Sequence, residues 1–155
     1  MLIKNYTRIL ASSLVLAVGL PLGTAHAHNL SGKIASRATS VVKYQITCSP
    51  NEEGKSAWLS YSTQNLTRGA TFLLQATASK DGVAPQTVVD PNNKDRSPSS
   101  TGIEAGGDGV YLMTIRKQAI LPKRPRLTGV AAFTLVFHCQ SSSGGHTETS
   151  IVSVK

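Results

Sequence analysis

Two cysteines constrain this chain more than any other feature. Cys48 and Cys139 each end a stretch in which apolar and polar residues alternate. Before Cys48, Val42, Tyr44 and Ile46 fall on one side and Val41, Lys43, Gln45 and Thr47 on the other. Before Cys139, Phe133, Leu135 and Phe137 share a side, and Val130, Ala132, Thr134, Val136 and His138 share the opposite one. Alternation with period two is the signature of a half-buried strand, so both sulfurs belong on core-facing positions. A bridge between them makes an early and a late strand neighbours in space. The loop it closes is about ninety residues long, for which chain-entropy reasoning gives roughly 4–5 kcal/mol of stabilisation.

The bridge requires an oxidising compartment, and the N-terminus predicts one. Lys4 and Arg8 precede an apolar run over residues 9–20, Pro21 and Gly23 follow it, and Ala25-His26-Ala27 has the small-x-small form of a leader cleavage site. The run is shorter than the roughly 20 residues that a spanning helix needs. Residues 1–27 are therefore expected to leave as a signal peptide. That leaves 28–155 as a single secreted domain, periplasmic or extracellular, with no transmembrane segment.

Short apolar runs separated by Gly, Pro, Ser and Asn fill that domain. Strands are expected over residues 41–48, 56–63, 70–78, 110–117, 129–140 and 147–154, with a short edge strand over 83–89 because Pro85 suits an edge. Residues 90–102 read as a long polar loop. The pattern predicts an all-β fold, a small antiparallel β-sandwich that is immunoglobulin-like or barrel-like and carries one disulfide. Asp108-Gly109-Val110-Tyr111 resembles the tyrosine corner of immunoglobulin-like sandwiches, with Met113 standing where that pattern has cysteine.

No nucleophile elbow, zincin helix, phosphate-binding loop or dinucleotide fingerprint occurs in the sequence. Asp90-Pro-Asn-Asn-Lys-Asp95 fails as a calcium loop because Lys94 sits among the oxygen ligands. A non-enzymatic binding or interaction module is the expectation, with the partner open. Trp58 and Tyr61 read as core residues. Asn29 and Asn65 head Asn-x-Ser/Thr sequons, which matter only in a host that glycosylates exported proteins.

Two chemistries stand out. Leader removal after Ala27 makes His28 the new N-terminus, offering an amine and an imidazole from one residue, a two-nitrogen chelate suited to Cu(II). His138 or His146 would add a further imidazole. A cut after Ala25 would instead leave His26-Ala27-His28, with a histidine third, the arrangement for square-planar Cu(II). The second chemistry is anion binding. The chain carries a formal net charge of +8, of which Lys4 and Arg8 leave with the leader. Arg116, Lys117, Lys123, Arg124 and Arg126 crowd one segment beside Ile120 and Leu121 and are stiffened by Pro122 and Pro125. An anionic glycan, a lipid surface or a protein would suit such a loop. Nucleic acid suits it less, because no aromatic side chains interleave with the charges.

Overall fold

A computed structural model describes residues 27–91, 95, 97–120 and 127–154. Apart from Ala27, the expected leader lies outside the described residues. Nine strands and no helices are found among those described: β1 (His28–Ile34), β2 (Val41–Ser49), β3 (Ser56–Asn65), β4 (Phe72–Ser79), β5 (Gln86–Val89), β6 (Gly102–Glu104), β7 (Gly109–Ala119), β8 (Ala131–Ser141) and β9 (Glu148–Val154). They form two antiparallel sheets, ordered β1-β8-β3-β6 and β5-β4-β7-β2-β9.

The pairing has a simple rule. β4 pairs with β5, β3 with β6, β2 with β7 and β1 with β8. These are four nested antiparallel pairs, one inside the next, and they alternate between the two sheets. This is the connectivity of a jelly roll, to which β9 is added along the free edge of β2. The sandwich expected from the alternation is present, and its chain path is this nested one.

The alternation in the sequence becomes burial in the fold. Tyr44, Ile46 and Cys48 on β2 face Phe133, Leu135, Phe137 and Cys139 on β8 across the gap between sheets. Tyr61, Phe72, Leu74, Tyr111, Met113 and Ile115 complete the centre of the core. Cys48 and Cys139 are bonded, with Cα atoms 5.6 Å apart, so the bridge joins the two sheets. Tyr111 makes the hydrogen bond of a tyrosine corner. Its hydroxyl donates to the Gly107 carbonyl at 2.6 Å, and Gly107 holds the positive φ of 68° that the turn demands.

Two strands depart from the expectation. β1 has no alternating run of large apolar residues, since Gly32 occupies one of its core-facing positions. A Cβ there would lie 2.5 Å from Cζ of Phe133 and 3.0 Å from the Tyr44 hydroxyl. β6 is only three residues long and arises beyond the polar segment read as loop. That segment is also tied down, because the Ser99 amide donates to the Thr63 carbonyl at 2.7 Å and the Ser99 hydroxyl accepts from the Thr63 amide at 3.0 Å. β5 is an edge strand, as Pro85 implied.

Candidate metal centre

β8 lies between β1 and β3, and its outward-facing residues determine what this sheet presents. Phe137 points inward, so the next residue, His138, points out. After β8 the chain turns through residues 141–145, where the Ser141 amide donates to the Gly145 carbonyl at 2.8 Å. The turn returns His146 beside Gln140 in an isolated antiparallel bridge. Asn51 fixes it there, its side-chain amide donating to the His146 carbonyl at 2.9 Å. The His138 and His146 rings consequently stack, with centroids 4.6 Å apart and planes inclined by 21°.

His28 reaches the same end of the sheet from the other side. It opens β1 and stands directly across from Phe137, one residue out of register with His138. Its ring stacks on Phe137 at 5.6 Å. Burial is the main influence on His138 and pushes its ring below the ordinary histidine value. The charges of His146 and His28 act in the same direction, and the Gln140 side chain opposes them. His138 is therefore a neutral imidazole near pH 7, the form that binds metals. Its Nδ1 is buried and has no hydrogen-bond partner. A buried polar atom of this kind costs free energy unless something satisfies it.

The support around the pair comes from β3. Trp58 is half-buried, and its indole N–H donates to the Gln140 side-chain oxygen at 2.8 Å, steadying the residue opposite His146. Period-two spacing places Gln140 on the face of His138. By contrast, nothing in the sequence announces the tether from Asn51, which lies 95 positions from His146. Among the described residues, no set of three or more His, Cys, Asp or Glu side chains converges to hold a metal ion. The His28 ring lies with Phe137 on the inner side of the sheet, opposite to the side on which His138 and His146 stack.

Of the basic segment the structure describes Arg116 and Lys117, and only Arg116 is exposed. Lys117 is only 4% exposed. Its ammonium is occupied inside the fold, donating to the carbonyls of Ala35, Ser36 and Gly129 at 2.9, 3.0 and 3.0 Å. It also lies 5.6 Å from the Phe72 ring centre, and burial lowers its pKa. Arg116 is exposed and donates to the Gln75 side-chain oxygen. Lys123, Arg124 and Arg126 lie outside the described residues.

Other features have structural roles. Tyr61 is buried and its hydroxyl donates to the Gln86 carbonyl. Asn65 is 2% exposed, accepts from the Thr67 amide and donates to the Phe72 carbonyl. That sequon is therefore closed to modification in the folded chain, whereas Asn29 is exposed on β1. Two carboxylates, Asp90 and Glu104, are buried. Asp90 accepts from the Asn65 amide, and Glu104 accepts from the Gln86 amide.

No protein-family model matches the chain, and no curated protein matches it in sequence.

Proposed function

We propose that this is an exported domain that binds Cu(II) through the outward-facing His138–His146 pair. One observation carries the reading. The rings of His138 and His146 stack on the outward face of the sheet at the end of β8, and the buried Nδ1 of His138 has no hydrogen-bond partner. The chemistry follows from the donor set. Two neighbouring imidazoles, one of them with an unsatisfied Nδ1, offer nitrogen donors. Such a site favours Cu(II) over the other first-row divalent ions. The role is binding rather than turnover, holding or carrying the metal outside the cytosol. The inter-sheet disulfide fits that compartment, and no helix among the described residues is long and apolar enough to cross a membrane.

The test is a competition titration of the mature protein, starting at His28, with Cu(II) and a chelator of known affinity. His138→Ala and His146→Ala are each expected to weaken binding by at least about tenfold, with circular dichroism unchanged. Affinity equal to the parent in both variants removes the reading.

A further inference from the structure

We infer that the outward face of the β1-β8-β3-β6 sheet is a binding platform for a neutral, extended polysaccharide. The recognising groups are side chains of that face other than the two imidazoles, so the platform and the metal reading stand or fall separately.

The strand registers lay out the surface. One row across it holds Gln64, Thr134 and Ser31, and the next holds Ser62, Val136 and Asn29. Beyond them comes His138, and then Trp58 opposite Gln140. The outward positions of β8 run from Ala132 to Gln140, about 27 Å at the usual rise of a strand. The core lies on the other side of this sheet, so no layer of the sandwich covers the face.

Charge decides the class of partner. The chain has a net charge of +8, yet Lys33 is the one charged side chain on this face among the described strand residues, and it stands at the far end of β1. The outward side of the other sheet carries Lys43 and Arg116. An anionic ligand therefore finds no cluster of cations here, and a cationic one finds no carboxylate. A protein partner is poorly served as well. Ala132, Val136 and Ile103 are scattered among amides and hydroxyls, whereas the buried centre of a protein interface is mainly apolar.

A ligand that is neutral and dense in hydroxyl groups suits what is present. The side chains of Asn29, Ser62 and Gln64 make no hydrogen bond among the described residues, so their donors and acceptors are open to it. Trp58 supplies the apolar part. Its indole N–H donates to the Gln140 side chain at 2.8 Å across the strand pair, which holds the half-buried ring on the face. The electron-rich face of an aromatic ring attracts the C–H groups that line one side of a pyranose. A β-1,4-linked chain has the matching shape, extended, with C–H groups on its flat sides and hydroxyls along its edges.

The experiment is calorimetric titration of the exported protein with cellohexaose, xylohexaose and chitohexaose, in EDTA so that no metal takes part. At least one is expected to bind, with an affinity that added salt leaves unchanged. Trp58→Ala should weaken binding by about tenfold or more, and Trp58→Phe by less than about threefold. Ser62→Arg, which plants a bulky cation in the middle of the face, should abolish it, whereas Thr87→Arg on β5 of the other sheet should not. Thermal unfolding is read for every variant, and Ser62→Arg still tests the face if Trp58→Ala fails to fold. No binding of any of the three sugars overturns the platform and leaves the metal reading untouched. Binding that Ser62→Arg does not disturb overturns it too, as does binding only to polygalacturonate that salt abolishes. Self-association of the parent, broken by Ser62→Arg, would overturn it by giving the face to a second copy of the chain.

Discussion

Lys117 and Lys80 show how a charged side chain can serve as internal structure. Each ammonium takes three main-chain carbonyls: Ala35, Ser36 and Gly129 for Lys117, and Gly106, Gly107 and Asp108 for Lys80. Each also sits over an aromatic ring, Phe72 and Tyr111 respectively. Replacing Lys117 with Met keeps the stem and strands three acceptors, so K117M is expected to cost about 2–4 kcal/mol in urea unfolding. A smaller loss would mean that water satisfies those carbonyls. Tyr61 and Tyr111 supply a second test. Burial is the main reason both phenols are pushed up to about 12. Their stabilising contribution is complete below the ordinary tyrosine value near 10 and is lost as pH rises through the folded value near 12. Stability should therefore fall between those limits, with phenolate absorbance from these two rings appearing only as the fold gives way. At this scale the sequence was legible only in part. Lys117 reads as one more cation in a basic run, because its three acceptors come from other segments of the chain. His28, His138 and His146 could each be named as candidate donors. That two of them stack depends on a turn whose path no local pattern specifies.

Among the elements, β1 is the one whose place depends most on a single residue. It is an edge strand with one neighbour, β8, and its fit depends on Gly32, over which the Phe133 ring passes. Gly32→Val is expected to push β1 off β8. Hydrogen exchange should then quicken from Asn29 to Ile34 while the amides of β3 stay protected. Uniform exchange across both strands would show that β1 is not a separable unit. The strands with long runs of alternating large residues, β2, β4, β7 and β8, were all legible in the sequence. β1 and β6 were not. One spends a core position on glycine, and the other is too short to show a period.

At the scale of the whole molecule, the nested pairing and the inter-sheet bridge act together. β2 and β8 belong to different pairs and different sheets, so the Cys48–Cys139 bond ties covalently two layers that no strand ladder joins. Reduction under native conditions is expected to lower unfolding stability by about 4–5 kcal/mol if loop entropy dominates. A shift below about 1 kcal/mol would place its effect in the native state instead. That the chain forms an antiparallel sandwich was legible from periodicity and from the two cysteines. Its path was not, because the same alternating strands satisfy several connectivities, and partner choice is settled by contacts between distant segments.

The nesting also imposes an order on assembly. The tight β4–β5 hairpin can close early, whereas β1 has no partner until β8, more than a hundred positions later, is available. Contacts that span so much chain are the slowest to form. The strand that opens the domain is thus among the last to find its seat, and its amides gain protection only once β8 is in place.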